Sequence, residues 1–199
     1  GIGVMQDKLA QYSTNLATLC PSFPAISEWA ASESDAEIGM QLRAVAILIV
    51  NGVQPRVFQV QQQKYDTHAN QDAVLSTLLP DLKTGVYTFV RAAQACGFFD
   101  KVLVSTFSDF GRRVEENSRE GTDHGWANYY AMFGTGLKRR VFGYDPVKKS
   151  GAVADIVPKH TDAYDTSKGT RGDLRMITNL VTFDACLLDS LALPGLTRL

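Results

Sequence analysis

The segment Lys101 to Phe107 (KVLVSTF) is a β-branched and apolar run of the length expected for a strand buried on both faces. Strands of that kind belong to parallel sheets covered by helices, so this stretch constrains the fold more than any other. The rest of the chain suits it. Gln6 to Leu19 has a helical pattern that ends at Pro21 and Pro24. Ser34, Asp35, Ala36 and Glu37 offer an N-cap with acidic residues in the first turn. From Ile38 the apolar positions Leu42, Val45, Ala46 and Ile49 recur at helical spacing, and Asn51-Gly52 stops the run. Arg56 to Gln62 (RVFQVQQ) reads as a strand.

Asn70 to Cys96 reads as helix interrupted at Pro80, which predicts two pieces, with Gly97 as the C-cap. Ser108 to Gly125 is polar and punctuated by glycine, so it reads as a loop. Trp126 to Phe133 (WANYYAMF) reads as another strand, followed by a solvated basic turn at Lys138, Arg139 and Arg140. Ser150 to Thr170 shows little periodicity. Asp173 to Leu191 reads as a closing helix with Ile177, Leu180, Val181, Leu187, Leu188 and Leu191 turned inward. Strands alternating with helices imply an α/β layer fold with a mostly parallel sheet, in one domain over 1–199.

Composition limits the partners. Lys plus Arg is 20 and Asp plus Glu is 21, a net charge of -1, which argues against a dedicated nucleic-acid or membrane-surface binder. A chain of 199 residues buries roughly 70% of its unfolded surface and needs no metal or disulfide to form a core. The longest apolar run, Ala44 to Val50, is too short to span a bilayer. The three cysteines, Cys20, Cys96 and Cys186, are far apart and each sits in an apolar stretch. They read as small buried hydrophobes rather than a disulfide framework or a zinc knuckle. No targeting segment precedes the first helix, and a start at Gly1 without Met suits a processed, trimmed or partial chain.

In parallel α/β folds chemistry gathers at the carboxyl ends of strands. Two places answer to that: Asp66-Thr67-His68 after Arg56 to Gln62, and Asp109 through Arg112 with Asp123-His124 after Lys101 to Phe107. The chain has three histidines, and His68 and His124 both lie beside an aspartate; His160 is the third. A carboxylate and an imidazole within two residues suit a divalent ion such as zinc or manganese. In extended backbone Asp66 and His68 project to one side. Asp123 and His124 are adjacent and need a bent loop to converge, for which Gly121 and Gly125 supply the freedom.

Each pattern also has a structural meaning. Asp66 or Thr67 can cap the helix that follows. Asp-His-Gly is a common turn. Arg112 suits an anionic substrate oxygen, and equally a pairing with Asp109, Glu115 or Glu116. Tyr129 and Tyr130 read as strand packing.

Together the motifs Tyr65 to Gln71 (YDTHANQ), Thr106 to Arg112 (TFSDFGR) and Gly121 to Gly125 (GTDHG) resemble the bacterial domain of unknown function 1501 family, a relative of the alkaline phosphatase and sulfatase superfamily. The likeness runs from about Gln41 onward, leaving 1–40 as a helical lead-in and 41–199 as the family-like core. It implies a three-layer α/β/α sandwich of alkaline-phosphatase-like type, incomplete at the N-terminus, because the chain looks like the C-terminal half of such a protein. It also implies that Asp66, His68, Asp123 and His124 occupy metal-ligand positions for zinc, manganese or calcium. Asp109 and Arg112 would then lie beside the substrate anion. The sequence departs from the family pattern where Gln61, Gln62, Gln63 and Lys64 precede Asp66 in place of a glycine-rich approach.

Two functions follow. The first is a metal-dependent hydrolase-like domain acting on phosphate or sulfate esters, its partner a small anionic ester. The second is a non-catalytic relative or fragment that binds or assembles with a protein partner, a missing N-terminal half or a further copy. A serine hydrolase is disfavoured, since no G-x-S-x-G elbow occurs. The kinship implies a periplasmic or exported location.

Overall fold

A computed structural model describes residues 2–31, 37–53, 55–125, 128 and 130–135. The chain divides into two compact units, Gly1–Val102 and Leu103–Leu199. Helix α1 (Ile2–Leu19), α2 (Glu37–Val50) and α3 (Gln71–Ala95) build the first. Short 3₁₀ turns at Ile26–Trp29 and Phe99–Lys101 complete it.

Helix α1 presents one face inward, with Leu9, Tyr12, Ser13, Leu16 and Cys20 less exposed than their neighbours. That three-and-four spacing is what a half-solvated helix requires. On α2 the buried positions are Ile38, Gly39, Leu42, Ala46 and Ile47. The loop between α1 and α2 contributes Trp29, which is 0% exposed and donates its indole N–H to the Pro24 carbonyl at 3.3 Å. Phe23 stacks on it, with ring centroids 5.7 Å apart.

Close backbone approach explains two glycines. A Cβ on Gly39 would sit 1.6 Å from the Trp29 carbonyl oxygen, and one on Gly85 would meet the Gly39 Cα at 3.1 Å. Helices α2 and α3 therefore meet where neither carries a side chain. Polar groups on α3 tie down the loop above: Asp81, 2% exposed, accepts from the Ala31 N–H at 3.1 Å. The Thr88 hydroxyl donates to the Glu28 carbonyl at 2.7 Å.

Several expectations are corrected here. Helix α3 is one piece, with Pro80 inside it. Pro80 and Ser76 are both exposed, so the carbonyl that loses its partner can be hydrated, which lowers the cost of proline within the helix. Cys20 and Cys96 are not separate apolar fillers: they form a disulfide. Cys20 follows α1 and Cys96 caps α3, so the bridge joins two helix ends. Arg56 to Gln62 is extended but joins no sheet among the described residues. The proposed cap at Ser34 to Ala36 lies outside the described residues.

The second unit overturns the parallel α/β/α sandwich. Its described sheets are both two-stranded and antiparallel. Strand β1 (Leu103–Ser105) pairs with β4 (Met132–Gly134), Val104 facing Phe133. Only part of KVLVSTF is strand, and Phe107 is 70% exposed, so the run is not buried on both faces. Strands β2 (Gly111–Glu116) and β3 (Thr122–Gly125) form a hairpin where the polarity suggests a loop. A solvated hairpin needs no apolar run, since antiparallel pairs tolerate water on one face.

Asn117 closes its turn. Its N–H donates to the Gly121 carbonyl at 2.7 Å, and its side-chain oxygen accepts from the N–H groups of Arg119 and Gly121. Glu120 takes a left-handed φ of 59° to complete the reversal. Of the strand expected over Trp126 to Phe133, pairing is described only from Met132. The basic turn at Lys138, the irregular stretch and the closing helix lie outside the described residues, as do His160 and Cys186. No helix among the described residues is long and apolar enough to cross a membrane.

Candidate functional site

In the first unit, the approach to Asp66 is held by side chains that replace a strand partner. The Gln41 amide donates to the Gln61 carbonyl at 2.8 Å and accepts from the Gln61 N–H at 2.9 Å. Gln62 donates to the Leu78 carbonyl on α3 at 3.1 Å, and accepts from the Tyr65 hydroxyl at 2.8 Å. Burial of Tyr65 pushes its phenol above the usual range. Gln62 thus anchors this approach through its side chain, and Gln61 is held through its backbone.

Tight turns follow, in which the Thr67 N–H donates to the Tyr65 carbonyl and the His68 N–H to that of Asp66. Thr67 is buried, and its hydroxyl donates to Gln71 at 2.8 Å. Asn70, in a left-handed conformation (φ 47°), is the N-cap of α3 and makes no side-chain cap bond. Capping therefore falls to neither Asp66 nor Thr67. The Asp66 carboxylate instead lies 3.0 Å from Nε2 of His68, Asp66 being exposed and His68 half-buried.

The 3.0 Å separation is that of a carboxylate–imidazole ion pair. Two ligands ~2.1 Å from a tetrahedral ion would lie about 3.4 Å apart, so the pair would open slightly to hold one. The donor set, one carboxylate and one imidazole, suits zinc or manganese better than calcium, which takes oxygen donors.

In the second unit a cavity of about 380 Å³ is lined by Asp109, Phe110, His124, Asn128 and Tyr130, among others. The loop that carries Asp109 is held from three sides. Ser108 Oγ donates to the Phe110 carbonyl at 2.9 Å, and the Asn128 amide donates to the same oxygen at 3.0 Å. The Tyr130 hydroxyl donates to the Ser108 carbonyl at 3.1 Å. His124 stacks on Phe110 with centroids 3.9 Å apart.

Arg112 faces His124 across the hairpin, its guanidinium 5.5 Å from the Phe110 ring centroid, and it donates to the Thr122 carbonyl. A Cβ on Gly125 would meet the Arg112 carbonyl carbon at 2.7 Å, so only glycine fits where the strands are closest.

Asp109 and His124 thus share one cavity. Asp123 and His124 occupy successive strand positions and project to opposite faces rather than converging in a bent loop. Asp123 lies on the turn side, accepting from Asn117 at 3.5 Å. Asn128 and Tyr130 are cavity residues outside the motifs singled out from the sequence, and Phe110 lies within TFSDFGR without an assigned role. Tyr130 read as strand packing, and only the hairpin and the loop facing it reveal its role.

A family model matches residues 30–161. The chain belongs to that family, described as a protein of unknown function (DUF1501). No curated protein and no solved structure matches the chain.

Proposed function

We propose that this chain is a metal-dependent hydrolase-like domain acting on phosphate or sulfate esters. The observation that carries the reading is the 3.0 Å approach of Asp66 Oδ1 to His68 Nε2, held by Gln62, Tyr65 and Thr67. These two residues form a divalent-ion ligand pair in the first unit. Asp123 and His124 are the ligands proposed from the second, acting from separate faces of β3. A bound ion would supply Lewis-acid polarisation of an ester oxygen. Arg112 brings a guanidinium to the same hairpin face as His124, where it can orient an anion, and Asp109 shares the cavity with that imidazole. Kinship with alkaline phosphatases and sulfatases is part of the proposal. It rests on the three motifs, since the described sheets are antiparallel.

The test is elemental analysis of the full chain after loading with zinc, manganese or calcium in turn, followed by phosphatase and sulfatase assays. About one equivalent of ion, falling at least tenfold in His68→Ala and Asp66→Asn, supports the reading. Less than about a tenth of an equivalent in the wild type overturns it.

The second reading, a non-catalytic binding or assembly role, is favoured by a different observation. Val57 is 76% exposed in an extended segment that belongs to no described sheet. Metal-dependent ester turnover lost in His68→Ala would defeat it.

A further inference from the structure

The extended segment that leads from α2 toward α3 has the form of a strand with no neighbour among the described residues. Phe58, Val60 and Gln62 are half-buried while Val57, Gln59 and Gln61 are exposed, the period-two alternation of a strand lying on a core. Its backbone is satisfied at one residue: the Gln41 side-chain amide bonds both the N–H and the C=O of Gln61, as a partner strand would. Val57, Phe58, Gln59 and Val60 make no hydrogen bond among the described residues. A run of unpaired N–H and C=O groups on a β-prone, exposed stretch is a template for strand addition.

Charge selects the occupant. From Val53 to Tyr65 the segment carries Arg56 and Lys64 and no acidic residue. A second copy of the segment would bring only cations to the same edge, whatever the register, and Lys64, at φ 74°, has already left the extended conformation. An acidic strand gains from the same cations.

We propose that Val57 to Val60 is a docking edge for an extended acidic segment of another protein, added as an antiparallel strand. Main-chain hydrogen bonds to Val57 through Val60 supply the affinity, Arg56 supplies the preference for acidic side chains, and Val57 packs against a β-branched neighbour. This goes beyond the ester-hydrolase reading and stands whether or not Asp66 and His68 hold an ion.

The test is fluorescence anisotropy of the full chain with a labelled heptapeptide that alternates glutamate with valine. Two control peptides accompany it. One is N-methylated at alternate residues, so that it keeps its charge and loses its donors on one edge; the other carries lysine in place of glutamate. The expected result is saturable binding by the acidic peptide, weakened at least tenfold by N-methylation and at least tenfold by lysine. Arg56→Glu, which touches no described contact, should weaken it about fivefold. Equal binding of the N-methylated peptide overturns strand pairing and leaves simple charge attraction. No binding up to about millimolar peptide overturns the proposal outright. Self-association of the chain that competes with the peptide assigns the edge to a second copy and also overturns it.

Discussion

The imidazole of His124 lies flat against the phenyl ring of Phe110, centroids 3.9 Å apart and planes 14° from parallel. The two residues come from opposite sides of a hairpin entry, so the stack records that β2 and β3 are paired. Phe110→Leu should remove the ring-current shielding of the His124 side-chain protons and cost about 1 kcal/mol. Proton NMR reads the first effect and thermal melting the second. Unchanged His124 shifts would mean that the stack does not form.

The Cys20–Cys96 bridge spans a sequence separation of 76 and ties the end of α1 to the end of α3. Among the described residues α1 is otherwise held by buried Leu16 and by Asn51, which donates to the Tyr12 carbonyl at 3.1 Å and accepts from the Asn15 amide at 3.2 Å. For a loop of that size the chain-entropy model puts the stabilisation at about 4.5 kcal/mol. Urea unfolding of the oxidised chain, the reduced chain and the Cys20→Ser/Cys96→Ser variant should show midpoints lowered together in the last two. Coincident midpoints for all three would remove the bridge from the stability of this unit.

Gly39→Ala and Gly85→Ala should differ sharply. The first drives a methyl group into the Trp29 carbonyl and should cost about 3 kcal/mol, since backbone must move. At Gly85 the contacts are 3.1 Å and 3.3 Å, and the better helix propensity of alanine offsets about 1 kcal/mol of the strain. Melting temperatures of the two variants check the order; a reversed order refutes the close approach at Trp29.

Two groups set pH limits at opposite ends. The Arg91 guanidinium, 2.7 Å from Glu28, and the Ala25 N–H hold the Glu28 carboxyl below its ordinary range. A depressed acid stabilises the fold above its unfolded value, and that contribution disappears as pH falls through the depressed one. NMR titration of Glu28 should show the lowered midpoint, returned toward the ordinary range in Arg91→Ala.

Tyr65 works the other way. Burial raises its phenol, so its contribution is intact below the ordinary phenol value and is lost as pH rises through the raised one. The phenolate absorbance of wild type minus Tyr65→Phe should show one late-ionising tyrosine.

Much of the first unit was legible because helices are local. The helical nature of α1 and α2 follows from spacing, and α2 ends where Asn51-Gly52 suggested; of the stripe read on α2, Leu42 and Ala46 are buried, while Val45 and Ile49 are half-buried and Ile47 takes the inner place. The break expected at Pro80 did not occur, because a rule about one residue ignores whether the freed carbonyl can reach water. The Asp66–His68 pair was readable for the same local reason, two side chains separated by one residue, although the backbone there turns rather than running extended. The cavity of the second unit was not. It depends on Arg112 facing His124 and on Tyr130 reaching Ser108, contacts between residues distant in the chain.

Sequence alone determined where the first helices lie, the carboxylate–imidazole spacing and, through its linked motifs, membership of the DUF1501 family. Those properties depend on neighbours within a few residues or on the order of short patterns. Tertiary structure decided which strands pair and in which direction, that Cys20 meets Cys96, and that Gly39 lies against the Trp29 carbonyl. A β-branched run favours extended backbone but carries no information on its hydrogen-bonding partner. The run KVLVSTF thus became a short antiparallel strand, while RVFQVQQ is extended and joins no sheet among the described residues.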